Sequence, residues 1–165
     1  MFFRELSVTE IKVSPADRLK HMLTRLKKAG HRLTPQRLAI LEILSESKNH
    51  PSAEMVYEQL KERFPTMSLA TVYKNISLLK EMGEALELGF ADGGNRYDGN
   101  KPYPHPHLIC LGCGSIIDPD VANFQALTRQ LMEKTGYRIT THRLDFFGVC
   151  PTCQMNELKG DRLEK

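Results

Sequence analysis

Residues 68–83 read Ser68-Leu-Ala-Thr-Val-Tyr-Lys-Asn-Ile-Ser-Leu-Leu-Lys-Glu-Met-Gly83. Ser68 is an N-capping residue type, and Leu69, Val72, Ile76 and Leu79 share one face at helical spacing before Gly83 supplies a stop. Ala70, Thr71, Tyr73, Lys74 and Ser77 point the other way. They are small, hydroxyl-bearing and cationic groups that suit base edges and phosphates in a major groove, or simply a polar face in water. Immediately afterwards, 85–91 and 95–98 read as two short strands around Asp92-Gly93-Gly94, a hairpin-turn composition.

Three further helices precede this stretch. Leu19, Met22, Leu23 and Leu26 stand at i, i+3, i+4 and i+7 ahead of Gly30. Thr34-Pro35 places a cap before a proline at the first helical position, where its missing N–H costs nothing, and Leu38, Leu41 and Leu44 follow. Ser52 caps a third helix carrying Ala53, Val56, Tyr57, Leu60 and Phe64, ended by Pro65. Helices closed by a hairpin predict a winged helix-turn-helix with the fourth helix as reader and the hairpin as wing.

Beyond the hairpin, Gly99-Asn-Lys-Pro-Tyr-Pro-His-Pro106 reads as a stiff connector. A second unit then follows in the order ββαβ, with strands at 107–111 and 115–118. Its helix spans 121–134, with Phe124, Leu127 and Leu131 inward, and its long last strand spans 137–149. The class is α+β, partitioned as an N-terminal extension (1–13), a winged-helix DNA-binding domain (14–98), a hinge (99–106), a dimerisation and metal-binding domain (107–154) and a charged, frayed tail (155–165). A unit this small has little core of its own, so stabilisation by metal and by a second copy is expected.

Composition bounds the function. The 165 residues carry a net charge of +3, 41% hydrophobic residues and no Trp. Apolar runs are far shorter than the roughly 20 residues of a membrane span, and Arg4, Glu5, Glu10 and Lys12 interrupt any secretory leader, which places the chain in the cytoplasm. Charge is uneven, with a basic excess before residue 84 and a slight acidic excess after it. Arg18, Lys20, Arg25, Lys27, Lys28, Arg32 and Arg37 face only Asp17 in 14–37, a balance suited to phosphates or to a solvated helix face.

All four cysteines fall in two pairs, Cys110-Leu-Gly-Cys113 and Cys150-Pro-Thr-Cys153. Each CxxC can turn two thiolates toward one centre, and two pairs complete a closed tetrahedral zinc site of structural type. Disulfides compete with this reading but are disfavoured in a cytosolic setting. A redox motif fits poorly, because neither pair is expected to open a helix after a parallel strand. A second cluster comprises His105 and His107, just before Cys110, with Asp98 and Asp118. Mixed imidazole and carboxylate donors suit Fe(II), Mn(II), Co(II) or Zn(II) better than Ca(II).

With these residues in view, the chain resembles the ferric uptake regulator (Fur) family of bacterial metal-dependent repressors over 19–153. The likeness rests on Gly30-His-Arg-Leu-Thr-Pro-Gln-Arg37, His50-Pro-Ser-Ala-Glu54, Ser68-Leu-Ala-Thr-Val-Tyr-Lys74 and Arg96-Tyr-Asp98, together with His105-Pro-His-Leu-Ile-Cys110, Cys113 and Gly148-Val-Cys-Pro-Thr-Cys153. The resemblance implies a homodimer and structural Zn(II) on the four cysteines. It also implies a regulatory Fe(II) or Mn(II) on His50, Asp98, His105, His107 and Asp118. Operator DNA, an AT-rich inverted repeat, would be read by Tyr73 against thymine methyls, with Lys74 on phosphate, Arg32 near the minor groove, and Thr71 and Ser77 on the same face.

Aspartates at 98 and 118, rather than glutamates, resemble the peroxide-responsive branch. There the resemblance implies iron-catalysed oxidation of His50 and His105 and release of the operator. The runner-up is a reversible iron- or zinc-uptake repressor. The family's additional metal site is interrupted here by Pro104 and Pro106, although Asp118 and His142 remain. His142 is read instead as a hydrogen-bonded strand residue, and His21 and His31 as helix-face and turn residues. A metal hydrolase lacks its HExxH signature, so no enzyme is expected. A zinc-stabilised interaction module would leave the reading helix and His50 unused.

Overall fold

The computed structural model describes residues 13–90, 94–120 and 124–160. Nearly all of the expected extension, Asp92 and Gly93 of the hairpin turn, the expected helix start at 121–123, the Phe124 side chain and the tail from 161 lie outside the described residues. Four helices come first, α1 (Pro15–Lys28), α2 (Pro35–Glu46), α3 (Ala53–Leu60) and α4 (Leu69–Glu81), and then the antiparallel strands β1 (Leu86–Leu88) and β2 (Arg96–Asp98). Each helix starts where its cap is written. The hydroxyls of Ser14, Thr34, Ser52 and Ser68 accept from the backbone N–H of Asp17, Arg37, Met55 and Thr71, and Gly83 takes the left-handed φ of 69° that its stop requires.

The core of this winged-helix half joins all four helices to the wing. Met22, Leu26, Ile40, Leu41, Leu44, Val56, Val72, Ile76 and Leu79 are buried together with Tyr97 of β2. The wing is shorter than the expected strands, three residues on each side.

Strands β3 (Pro106–Cys110), β4 (Ile116–Ile117) and β5 (Leu144–Gly148) form a sheet in the order β4-β3-β5, with β3 antiparallel to β4 and parallel to β5. Helix α5 (Phe124–Thr135) lies between β4 and β5, and α6 (Pro151–Gly160) follows β5. A small buried group, Leu88 of the wing with Ile109 and Ile116, ties this sheet to the winged-helix half.

Several expectations are corrected. The strand expected over 137–149 is confined to β5, because β3 offers a ladder of only five register pairs and 137–143 pair with no strand among the described residues. His142 therefore lies outside the strand. Where a frayed tail was expected after Gln154, α6 continues to Gly160. Leu127 and Leu131, expected inward, are 48% and 46% exposed in this single chain. Cys150 and Cys153 do stand at the start of a helix after a parallel strand, contrary to expectation, and it is the approach of the other two cysteines that sets them apart from a redox pair.

Candidate metal centres

Two groups of side chains converge in a way that ordinary packing leaves unexplained. In the first, the sulfurs of Cys110, Cys113, Cys150 and Cys153 all lie within 4.8 Å of one another. Gly112 threads between them, because a Cβ there would sit 3.0 Å from the Cys153 Sγ. The sulfurs of Cys113 and Cys150 are 3.8 Å apart, and a tetrahedron with bonds of about 2.3 Å has edges of about 3.8 Å. All four sulfurs thus serve one centre, which a two-cysteine redox motif would not require. Backbone N–H groups of Cys150 and Cys113 bring the Cys110 thiol down to about 6, while neighbouring Cys150 and Cys113 push Cys153 up to about 12. The set shares protons that a cation would expel.

The second group is made where the two halves meet. His50 stands in the loop between α2 and α3, Asp98 ends β2, His105 precedes β3, His107 lies within it, and Asp118 follows β4. His50 Nε2 is 3.0 Å from Asp118 Oδ1 and 3.4 Å from Asp98 Oδ2. His105 Nε2 is 3.2 and 3.4 Å from the same two oxygens, and His107 Nε2 is 3.9 Å from Asp118 Oδ1. Ligands about 2.1 Å from a common ion lie roughly 3.0–3.4 Å apart around an octahedron or tetrahedron. All five facing atoms are buried and lack a hydrogen bond of good geometry. Buried polar atoms left in that state are costly, and a divalent cation satisfies three imidazoles and two carboxylates at once.

The far side of most of these groups is already held. Asp98 Oδ1 accepts from the N–H of Asn100 and Lys101 at 2.8 and 2.9 Å, leaving Oδ2 to the centre. Asp118 Oδ2 lies 3.4 Å from Lys101 Nζ, and His105 Nδ1 lies 2.8 Å from the Tyr103 carbonyl oxygen. Such outer contacts fix tautomer and aim. His50 alone among the non-glycine described residues has a positive φ, 48°, a strained conformation of the kind that costs about 1–3 kcal/mol and persists where surroundings enforce it.

Electrostatics follow the geometry. Burial disfavours a charge on His50, but contact with Asp118 and Asp98 overrides it and raises its pKa to about 9. Burial favours a neutral Asp118, yet His105 and His50 hold it far below the usual carboxylate range. Burial together with the charges of His105 and His50 lowers His107. A cavity of about 270 Å³, lined by Leu88, Pro104, Thr141, His142 and Arg143 among others, opens onto His105 and His107.

Of the residues expected at DNA, Arg32, Tyr73, Lys74 and Ser77 are exposed and Thr71 is half-buried. Tyr73 donates its hydroxyl to Glu54 Oε1 at 2.5 Å. The phosphate-facing set is smaller than expected. Arg18 is buried on Glu84, Arg25 donates to the Met82 carbonyl, and Arg37 donates to Asn75 Oδ1 and the Arg32 carbonyl. Sequence reading also missed Lys101, which reaches Asp118 from the loop between β2 and β3, and Asp145, which meets His107 through the β3·β5 register.

A winged-helix half and a sheet half contribute jointly to one buried imidazole–carboxylate group that could hold a metal ion. Residues 28–147 match the Ferric uptake regulator family. The chain is 40% identical over 142 residues to the peroxide operon regulator of Bacillus subtilis (strain 168), covering 86% of this chain and 97% of that protein. It is 38% identical over 136 residues to the peroxide-responsive repressor PerR of Staphylococcus aureus (strain USA300), covering 82% and 91%. Its fold is similar to that of the Helicobacter pylori ferric uptake regulator Fur, which has three functional metal binding sites, with a TM-score of 0.72 at 25% identity over 86% of this chain and 94% of that one. The chain belongs to the Ferric uptake regulator family of metal-responsive transcription regulators. No helix among the described residues is long and apolar enough to cross a membrane.

Proposed function

We propose that this chain is a cytoplasmic repressor that binds operator DNA as a homodimer when Fe(II) or Mn(II) occupies His50, Asp98, His105, His107 and Asp118. We further propose that peroxide inactivates it through oxidation of His50 and His105. The observation that carries this is the convergence of those five groups from both halves of the chain. His50 and Asp98 are anchored in the winged-helix half, and His105, His107 and Asp118 in or beside the sheet. Drawing them together sets the angle between reading helix and dimer. An effector must bind the DNA-competent arrangement more tightly, and a shift from 1:99 to 99:1 needs about 5.5 kcal/mol of differential binding.

Structural Zn(II) belongs on Cys110, Cys113, Cys150 and Cys153, where the sulfur spacing fits a closed tetrahedron. The residues proposed at DNA are Arg32, Thr71, Tyr73, Lys74 and Ser77. Five protein ligands leave room in a six-coordinate shell, and bound Fe(II) would supply the electron for peroxide cleavage. The family resemblance points to His50 and His105 as the imidazoles oxidised, and an oxygen added to either ring would cost a ligand and release the domain angle. Relatives named for peroxide response, at about 40% identity, support this reading over reversible metal-uptake control.

Peptide mass spectrometry of Fe(II)- and Mn(II)-loaded protein after low peroxide, with operator binding followed in parallel, tests it. An added oxygen on the His50 or His105 peptide with iron only, together with lost DNA binding, supports the peroxide sensor. Intact histidines and unchanged binding make this a metal-uptake repressor.

A further inference from the structure

The parallel ladder between β3 and β5 pairs His107 with Asp145 and, three steps on, Cys110 with Gly148. His107 Nε2 faces the five-residue centre, while its Nδ1 lies 3.3 Å from Asp145 Oδ1. Both of those last atoms are buried, and neither makes a well-aligned hydrogen bond, so each is the polar partner left to the other. The second oxygen of Asp145 is taken up by Arg143, whose Nε donates to Oδ2 at 2.5 Å. A chain of contacts therefore runs from Arg143 through Asp145 to His107 and into the centre. Neutral imidazole carries one proton on one of two nitrogens, and the group facing Nδ1 decides which nitrogen is left to bind a cation.

We propose that Asp145 is a positioning residue for metal binding: it holds His107 in the Nδ1–H tautomer with Nε2 aimed at the centre, and Arg143 locks the carboxylate in place. The inference rests on reading the His50–Asp98–His105–His107–Asp118 group as a metal site. It also gives β5 a second task. The strand that carries Cys150 toward the four-sulfur centre carries, five residues earlier, the carboxylate that orients a ligand of the other centre.

The test uses the zinc-loaded full chain. Mn(II) affinity is measured by competition with a fluorescent chelator, and the His107 tautomer is read by ¹⁵N NMR before Mn(II) is added. Asp145→Leu, which removes the acceptor and keeps the branching at Cγ, is expected to weaken Mn(II) binding about 10–100-fold. It should also shift His107 away from the Nδ1–H form and leave cysteine-bound zinc at wild-type stoichiometry. If that variant loses zinc or fails to fold, Arg143→Gln decides, with a smaller loss of affinity expected in the same direction. Wild-type affinity and an unchanged tautomer in a folded variant overturn the role of Asp145. A wild-type chain that binds no Mn(II) overturns the site reading itself, so the two failures are distinguishable.

Discussion

Arg18 donates through Nε to the carbonyl oxygen of Gly99 at 2.7 Å, so the start of α1 holds the residue that follows Asp98. The same guanidinium donates to the Glu84 side chain at 2.6 Å and to the Glu84 carbonyl at 2.7 Å. Gly99 is pressed against α2, where a Cβ would lie 2.8 Å from Leu44 Cβ and 3.0 Å from the Leu44 carbonyl oxygen. Asp98 is thereby set from the winged-helix side before any cation arrives. Gly99→Ala should displace it, because the obstructing atoms include backbone. Mn(II) affinity is expected to fall at least tenfold while cysteine-bound zinc is retained, and an unchanged affinity would show that Asp98 is positioned by other means. Arg18→Met should cost about 3 kcal/mol in urea unfolding, the low end for breaking a buried pair. Arg25 and His21 remain within 3.3 Å of Glu84 and soften the loss.

The helices were legible because their signals are local. Thr34, Ser52 and Ser68 cap the N–H groups three residues on, and no distant contact is needed to see it. Arg18 reads as one more basic residue because its partners lie 66 and 81 residues away. The cluster of His105, His107, Asp98 and Asp118 was visible as neighbouring donors in sequence, whereas His50 came only through family resemblance. Asp145 was invisible until the β3·β5 register was known. The over-long last strand shares that cause, since the residues at 137–143 do not show where the ladder with β3 begins.

Removal of zinc should undo the sheet half. The buried group joining it to the wing is small, and Leu111 N–H to Gly148 O, at 2.7 Å, and Cys150 N–H to Cys110 Sγ, at 3.2 Å, close the strand ends around the sulfurs. Thiolate binding and folding of such a unit are coupled. Cys153→Ser is expected to lower zinc content and dimer yield together, measured by metal analysis and light scattering. A dimeric variant with full zinc would refute the coupling.

The His50 pKa of about 9 fixes the pH dependence of metal binding. It lies above the ordinary 6.5, so His50 in the metal-free chain is protonated at pH 7.5 and a cation must displace that proton. Affinity should rise about tenfold per pH unit toward pH 9 and then level off. Calorimetry in buffers of different ionisation enthalpy should show close to one proton released per Mn(II) at pH 7.5. The linked stability of the metal-free chain is full below pH 6.5 and lost as pH rises through 9. No proton release at pH 7.5 would contradict the Asp98–His50–Asp118 arrangement.

Register also lays out an apolar row. Ile117 pairs with Leu108 and Leu108 with Phe146, and the three are 55%, 40% and 47% exposed on one face of the sheet. Adjoining exposed apolar groups of this kind mark an association surface. Phe146→Asp is expected to give a zinc-loaded monomer in size-exclusion chromatography with light scattering. A dimer of wild-type strength would place the interface elsewhere.

Tyr73 and Lys74 are neighbours on α4 but should fail differently at DNA. The Tyr73 hydroxyl is engaged by Glu54, so its ring is the part left to meet apolar groups on bases. Tyr73→Ala should weaken operator binding by about 1–2 kcal/mol, the scale of one lost base contact, without changing the salt dependence. Tyr73→Phe keeps the ring and should lose much less. The exposed Lys74 ammonium is free to pair with phosphate, and Lys74→Ala should reduce the slope of log affinity against log salt by about 1 on specific and non-specific DNA alike. Gel shifts with Mn(II)-loaded protein across a salt series separate the two. Equal slopes for Lys74→Ala and wild type would remove that residue from the backbone contact, and a Tyr73→Phe loss as large as that of Tyr73→Ala would mean that the hydroxyl leaves Glu54 to bind DNA directly.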